Sequence, residues 1–364
     1  MSTIFDSIVD ENNIYRAYRK ALKGDNKYTP EAIRFSLDET YNLNALRQSL
    51  IDETYQFDGY MRFKVYEPKE RIIDAPHFKD KIVQLAINNV LKEIYNPCFI
   101  YDSYASIDNK GTHKCVDRIQ HFMRKAKWQY GDGAYIVKID VKKFFYSIDR
   151  DLLKSFLPKK IKCKKTLRLL YHIIDSAQLI DDLGLPLGNT LSQICANIYL
   201  NKLDQYCKRR LSLKYVVRYM DDVIIAVESK EKAREVRDLV CAFIKQELNL
   251  NHNENKTDIF PVNQGVNAIG FKIHTTHRLL RNESKKTIKR KTKKMRRLIV
   301  EGKMTKEKAE QILNSWLGHA KHGSSYNFIR RLLERHDYIY VDKKGALRVD
   351  IDKLKKEGEE HAIS

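Results

Sequence analysis

The stretch that most constrains this chain is YVVRYMDDVIIAV, residues 215–227. Two runs rich in Val, Ile and Tyr flank an Asp221-Asp222 pair, and each run has the length of a short buried strand. Met220-Asp221-Asp222 falls where such a hairpin must reverse. The expected unit is a buried β-hairpin with acids at its tip, so the chain must supply a sheet and a core around it. Adjacent carboxylates repel unless something positive sits between them. Two readings stand at this point: a bound divalent cation, or an Asp-rich surface turn.

With 364 residues there is room for a large core and two or three subdomains. Charge is the anomaly: 68 Lys and Arg against 47 Asp and Glu leave a net charge of +21. A surplus of that size points to a polyanionic partner, nucleic acid first. Against a membrane surface stand the lack of an apolar run of spanning length and of a lipidation motif. The N-terminus, MSTIFDSIVDENNIYRAYRK, has no basic start followed by an apolar run and does not read as a signal peptide. Cys98, Cys115, Cys163, Cys195, Cys207 and Cys241 are scattered without a CxxC pair, which argues against a zinc site or a disulfide framework. A reducing cytoplasm is the simplest setting.

Residues 1–58 read as helical and irregular, with no legible chemistry. From Gly59 the pattern changes. Basic and apolar residues alternate over 62–66, which predicts a half-exposed strand closed by Pro68, and RIIDAP returns from Arg71 as a second. Such a hairpin, with cations near its tip, could grip a triphosphate, because an Arg fork matches phosphate oxygens. An ordinary solvated hairpin has the same pattern. Val83, Ala86, Ile87, Val90, Leu91 and Ile94 share one helical face over 80–95. Another helix is expected after Gly111-Thr112-His113, with His113 a capping or packing residue. GLPLG (184–188) is an irregular turn leading into a helix striped by Leu191, Ile194, Ile198 and Leu203. A glycine turn at a helix start can offer backbone N–H groups to a phosphate or a base.

Residues 231–248 form the clearest amphipathic pattern, and AIGFKI (268–273) reads as a short strand. Between 278 and 297 Lys and Arg dominate and Glu283 is the only acid. A solvated helix face mixes signs, so this run favours contacts to a phosphate backbone. Helices at 307–317 and 326–333 and a mobile lysine-rich tail after Asp342 complete the expectation. AYIVKI (134–139) is a strand run that ends in Asp140, and the carboxyl end of a buried strand is a common place for catalytic groups. Asp140, Asp221 and Asp222 together give three hard oxygen donors, which suit Mg²⁺ better than zinc.

The order of pieces, VKIDVKKFF, GLPLGNTLSQ, YMDD, NKT and then a Gly-Phe strand, resembles the palm of a reverse transcriptase. Asp140 precedes Asp221 by 81 positions, room for the intervening glycine turn and helix. The similarity runs from about Arg62 to about Phe328. Within the family the chain looks most like the reverse transcriptases of diversity-generating retroelements: LGNTLSQ fits their [I/L]GxxxSQ pattern, and VYEPKERII, FKDKIVQLA, GTHKCV, THRLLR and SWLGHA also look like their segments. Group II intron and retroviral enzymes usually carry Gln where this chain has Leu187. An apolar residue there removes hydrogen bonding beside the incoming nucleotide.

The resemblance implies an α+β, right-hand polymerase architecture: an N-terminal helical extension (1–58), fingers (59–134), a palm with an antiparallel sheet (135–275, with 155–182 returning to the fingers), a helical thumb (276–340) and a basic tail (341–364). It implies two Mg²⁺ held by Asp140, Asp221 and Asp222 with the Val141 carbonyl as auxiliary ligand. Phe145 would be the steric gate against a ribose 2′-OH, although Phe144 and Phe145 could both be core. Arg71, with Lys69, would contact the triphosphate, and Leu187, Gly188 and Gln193 would line the template–nucleotide pocket. Lys256 stands where polymerases often carry a lysine that protonates the leaving pyrophosphate; a plain surface lysine fits as well. Tyr219, Met220, Gly270 and Phe271 would support the primer, and Lys285, Lys289, Arg290 and Lys293 would track the template–primer backbone without reading sequence. Trp316 and His319 fit the thumb core.

The implied activity is RNA-directed DNA synthesis from dNTPs on a dedicated template RNA, through an RNA–DNA hybrid, error-prone opposite adenine and served by a small basic accessory variability protein. A phage-defence reverse transcriptase with a non-coding RNA template shares the chemistry, and a non-catalytic RNA-binding scaffold of the same shape is the reading from another class. No membrane partner is expected, and the chain ends too soon after the thumb for an RNase H or endonuclease domain.

Overall fold

The computed structural model describes residues 3–66, 70–177 and 183–354. Pro68 and Lys69 of the expected hairpin tip, part of the 155–182 segment and the end of the 341–364 tail lie outside the described residues. In chain order the helices are α1 (Ile4–Ile8), α2 (Glu11–Ala21), α3 (Pro30–Leu37), α4 (Glu39–Ile51), α5 (Phe78–Tyr95), α6 (Thr112–Tyr130), α7 (Phe144–Ser147), α8 (Arg150–Phe156), α9 (Lys164–Asp175), α10 (Thr190–Gln205), α11 (Lys230–Leu248), α12 (Asn282–Val300), α13 (Lys306–Ala320) and α14 (Tyr326–Arg335). The strands are β1 (Tyr60–Val65), β2 (Arg71–Pro76), β3 (Tyr135–Asp140), β4 (Tyr215–Tyr219), β5 (Asp222–Val227), β6 (Asp258–Pro261), β7 (Val266–Ala268), β8 (Phe271–Ile273), β9 (Arg278–Leu280), β10 (Ile339–Val341) and β11 (Leu347–Val349).

The chain divides into two units, the first built from Met1–Gly111, Val137–Val227 and Glu231–Ile259. It holds β4, β5 and most of β3 of a four-stranded sheet in the order β4-β5-β3-β6. The Val- and Ile-rich runs of β3, β4 and β5 are buried along almost their whole length. Among the helices of this unit, α5 packs on α10 and α2 packs on α5. That arrangement explains why α5 is buried well beyond one stripe, from Phe78 through Ile82, Leu85 and Leu91 to Tyr95. β1 and β2 form a separate antiparallel hairpin in which Val65 pairs with Arg71. Its β1 strand is more exposed than the alternating sequence implies, with Met61, Phe63 and Val65 all open to solvent.

The second unit holds Thr112–Ile136, Glu228–Lys230 and Phe260–Ser364. α6 sits beside the three-stranded β7-β8-β9 sheet through Gln120, whose Nε2 donates to the His274 carbonyl at 2.8 Å, and through Asp117, which pairs with Arg278 at 2.7 Å. His113 packs as expected, its ring stacked 3.5 Å from that of His322. Lys and Arg are good helix formers, so the basic run folds as α12 and buries only Ile288, Thr292 and Met295, a narrow stripe at spacings of four and three. That stripe joins Leu313, Leu317, Leu332, Tyr338 and Val349 in one core. The segment after Asp342, expected to be mobile, is packed as far as Leu354. β10 and β11 pair, the Asp342 carboxylate accepts from the Ala346 amide at 2.9 Å, and Arg348 bridges Asp342 and Glu310 at 2.8 Å each.

Candidate active site

The β4–β5 register pairs Tyr219 with Asp222, so only Met220 and Asp221 form the turn. Met220 takes φ +52°, a region that a non-glycine residue enters only under constraint. β5 lies beside β3, which ends in Asp140. Three carboxylates from remote parts of the chain thus share one neighbourhood, and each of Asp221 and Asp222 feels the charge of Asp140.

The segment after α11 supplies the other side. The Asn253 amide donates to the Asp140 carbonyl at 2.7 Å and Lys142 donates to the Asn251 carbonyl at 2.8 Å, so 251–253 runs alongside 140–142. A tight turn, in which the Lys256 and Thr257 amides both donate to the Asn253 carbonyl, then brings Lys256 back. Its Nζ lies 3.0 Å from both oxygens of Asp140, and Asn253 Nδ2 donates to Oδ1 at 3.1 Å. Lys138 Nζ stands 3.5 Å from Asp222 Oδ1, an ion contact longer than a sound hydrogen bond, and among the described residues that buried oxygen has no hydrogen-bond partner. Burial first, then Asp222 and Asp140, push the Asp221 carboxyl up to about 6. Burial first also raises Asp222, and Lys138 opposes it. The cluster carries more negative charge than its two lysines offset.

Among the described residues no three His, Cys, Asp or Glu side chains converge as a finished metal site. The donor chemistry nevertheless fits a hard divalent cation: three carboxylates, Asp222 Oδ1 buried without a hydrogen-bond partner among the described residues, and Asp140 held by Lys256. Asp140, Asp221 and Asp222 are the residues that would hold it. The Val141 backbone forms an antiparallel bridge with His252 and is buried beside Asp140.

The residues expected around a nucleotide are brought together by backbone stitching. The Leu185 amide donates to the Phe145 carbonyl and the Gly184 amide to the Ile148 carbonyl, both at 2.7 Å. The Asp74 amide of β2 donates to the Leu187 carbonyl at 2.7 Å. Gly188 suits this place: at φ +113° a side chain would be strained, and a Cβ would lie 2.6 Å from the Ile73 side chain, which would have to shift. Phe144 is core and Phe145 is half-buried, the two rings meeting edge to face at 5.4 Å. Arg71 is exposed at the start of β2, and Lys69 lies outside the described residues. Asn189 caps α10 by accepting from the Ser192 amide, and Gln193 one turn on accepts from Ser106 Oγ at 3.0 Å.

In the second unit Gly270 makes the β7–β8 turn at φ +85°, and Phe271 is fully buried with its ring 4.4 Å from that of His319. What the turn offers to a partner is therefore its Gly270 backbone. Trp316 and His319 both pack within this unit. Lys285 and Lys289 stand over the Phe328 ring at 6.0 and 5.5 Å, while Arg290 and Lys293 are exposed.

Three groups escaped the sequence reading. Lys138 lies two positions before Asp140, hence on the same face of β3, a signal that period-two counting carries. Asn253 was hidden in a polar connector. Arg218 was hidden between apolar neighbours, yet it is fully buried and donates to both oxygens of Asp204 at 2.7–3.0 Å, to Asn197 Oδ1, to Ser103 Oγ and to the Met220 carbonyl.

Comparison with known proteins bears on this site. The profile of the family described as reverse transcriptase (RNA-dependent DNA polymerase) matches residues 64–273. The chain is 25% identical over 344 residues to the group II intron-encoded protein LtrA of Lactococcus lactis, covering 71% of this chain and 56% of that protein. It is 24% identical over 342 residues to the putative COX1/OXI3 intron 2 protein of Saccharomyces cerevisiae (76% and 38% covered), and 26% identical over 290 residues to protein YkfC of Escherichia coli (67% and 72% covered). The chain thus spans 38 to 56% of the length of the first two of these relatives. Among solved structures, apo telomerase from Candida tropicalis superposes with a TM-score of 0.50 at 13% identity, over 80% of this chain and 63% of that one. That likeness speaks to fold alone, and the fold is the right-hand polymerase type.

Proposed function

Because the chain belongs to the reverse transcriptase (RNA-dependent DNA polymerase) family, we propose that it extends a primer with dNTPs on an RNA template, using the Asp140, Asp221 and Asp222 cluster. The observation that carries this reading is the mutual field of those three carboxylates at the junction of β3 and the β4–β5 turn. A non-catalytic scaffold has no use for that repulsion. Two divalent cations, Mg²⁺ first, fit the cluster; when bound, the chemistry they supply is activation of the primer hydroxyl and neutralisation of phosphate charge.

The chain's own residues do the rest. Asp140, Asp221 and Asp222 hold the cations, and the Val141 carbonyl lies within the same bend. Lys256, exposed enough to swing, holds Asp140 in this arrangement and is free to donate a proton to the leaving pyrophosphate once released. Phe145, half-buried against Phe144, presents a ring edge where a ribose would lie and selects against a 2′-OH. Arg71 offers its fork to the triphosphate, and Lys69 would join it. Leu187, Gly188 and Gln193 form the floor beneath the base pair. Tyr219 and Met220 are the primer-side residues of the first unit; in the second, the Gly270–Phe271 turn offers its Gly270 backbone, and Lys285, Lys289, Arg290 and Lys293 offer cations to a duplex backbone. The proposed limits are an N-terminal extension 1–58, fingers 59–134, a palm 135–275 with 155–182 returning to the fingers, a thumb 276–340 and a tail 341–364.

The finer reading is a diversity-generating enzyme that copies its template with errors, aided by a small basic accessory protein. LGNTLSQ and the apolar Leu187 support it. The sequence likeness to LtrA favours a second reading, an enzyme acting on an intron-type RNA. A defence enzyme with its own non-coding RNA shares every residue argued above. Primer extension on an RNA template of all four bases tests the core of this reading: cDNA is expected with Mg²⁺ and dNTPs, with errors concentrated opposite adenine and reduced by Leu187→Gln. No cDNA on any template would overturn the polymerase; accurate copying would overturn only the diversity-generating role.

A further inference from the structure

The buried arginine of β4 lies two residues before the catalytic turn, and its hydrogen bonds reach further than a core ion pair requires. Every N–H of the Arg218 guanidinium has an acceptor. Nε and one arm, Nη2, grip Asp204 at 2.7–3.0 Å, and Nη2 also donates to Ser103 Oγ at 3.0 Å. The other arm, Nη1, donates at 3.1 Å to Asn197 Oδ1 and at 3.1 Å to the carbonyl of Met220, the residue held at φ +52°. Asp204 and Asn197 both belong to α10, seven positions apart and so on one face of the helix. The guanidinium therefore spans from a rigid helix to the one backbone group that must sit in a strained conformation for Asp221 and Asp222 to project together.

The same centre ties in a second segment. The Arg218 amide donates to the Asp102 carbonyl at 2.9 Å, and its carbonyl accepts from the Tyr104 amide at 3.0 Å. Asn197 Nδ2 donates to the Ala105 carbonyl at 2.9 Å. One residue on, Ser106 Oγ donates to Gln193 at 3.0 Å. A strap over 102–106 thus connects Gln193 to the guanidinium that holds the Met220 carbonyl.

We propose that Arg218 is a positioning residue that presets the Met220–Asp221–Asp222 turn, and that through the 102–106 strap it registers this turn against Gln193. The inference rests on the reading of Asp221 and Asp222 as the catalytic pair. An arginine serving only the core would be replaceable, with its partner, by apolar side chains of similar volume at little cost to stability. For a positioning arginine the same exchange spares stability but not the site, because the Met220 carbonyl would still lack its donor and the turn its setting.

The test follows from that difference. In the full chain, Arg218→Met combined with Asp204→Leu removes the ion pair without leaving a buried charge alone. Thermal melting should stay near that of the parent, while Mn²⁺ affinity, read by electron paramagnetic resonance without any substrate, and kcat for primer extension should each fall about 10–100-fold, as when a partner behind a ligand is lost. KM for the primer should change little. A double variant that melts, binds Mn²⁺ and extends primers like the parent would overturn the proposal. Should the double variant fail to fold, Arg218→Lys replaces it: the ammonium keeps its charge beside Asp204 but cannot span to the Met220 carbonyl. Adding Met220→Gly, which relieves the positive φ, should then recover part of the lost Mn²⁺ affinity; an Arg218→Lys variant with parental affinity would overturn the proposal. Because Mn²⁺ binding is read without turnover, a parent protein that extends no primer would sink the polymerase reading and still leave this one decided.

Discussion

Two groups of charge lie within a few residues of each other on β4 and β5, and they are built on opposite principles. Around Arg218 every donor has an acceptor, both Asp204 oxygens are bonded, and the pair is sealed from water, with the side chains 0% and 1% exposed. Around Asp140, Asp221 and Asp222 the accounts do not close. Among the described residues three acids face two lysines and the buried Asp222 Oδ1 has no hydrogen-bond partner, and burial with mutual repulsion pushes Asp221 up to about 6. A satisfied buried network fixes a single geometry. An under-compensated acid cluster stores unfavourable energy that a cationic ligand relieves, as does protonation at lower pH. The first group is a frame; the second is what the frame displays.

The contrast can be broken by single substitutions, and their expected effects fall in a clear order. Asp140→Asn should lower RNA-templated extension about 10⁴-fold, or ~5.4 kcal/mol of transition-state stabilisation, while leaving the melt in divalent-free buffer unchanged or slightly higher. A comparable loss of stability would mean that Asp140 belongs to the frame. Asp204→Ala should do the reverse in kind, costing ~3–5 kcal/mol in denaturant unfolding because it strands a buried guanidinium. Ser103→Ala removes one hydrogen bond to that guanidinium and should cost about 1.5–3 kcal/mol by the same measurement. Lys256→Met should cost less than ~1 kcal/mol, since its side chain is 46% exposed and solvent screens the pair with Asp140. Mn²⁺ binding by that variant should be no weaker than in the parent. A Lys256→Met variant that unfolds as readily as Asp204→Ala would erase the distinction.

Much of this was legible before any coordinates. The strand runs ending at Asp140 and flanking Asp221-Asp222 carry strong apolar patterns, and the stripes of α5, α10 and α11 follow the helical period. Patterning also split Phe144 from Phe145 only as alternatives, because adjacent aromatics after a strand can both point inward; packing decided it. The counter-charges were the least legible part. Arg218 sits inside a strand whose apolar neighbours mask it, and its partner Asp204 follows Leu203 on a helix read only for its apolar stripe. No local rule joins residues 14 positions apart across a helix and a strand. The β10–β11 hairpin was missed for a different reason: three-residue strands in a Lys- and Asp-rich segment fall below any periodicity signal, and their stability comes from Arg348 and Asn314 contacts made at long range.

The most direct measurement is the melting temperature of the full chain with and without millimolar Mg²⁺ or Mn²⁺, for the parent and for Asp221→Asn. A cation that binds only the folded acid cluster stabilises it by mass action, by about 2.7 kcal/mol at a hundred times its dissociation constant. The parent should therefore melt higher with the cation, and Asp221→Asn should lose most of that gain while starting from an equal or higher baseline. A parent whose melt ignores divalent cations, or an Asp221→Asn variant that gains as much as the parent, would contradict the account.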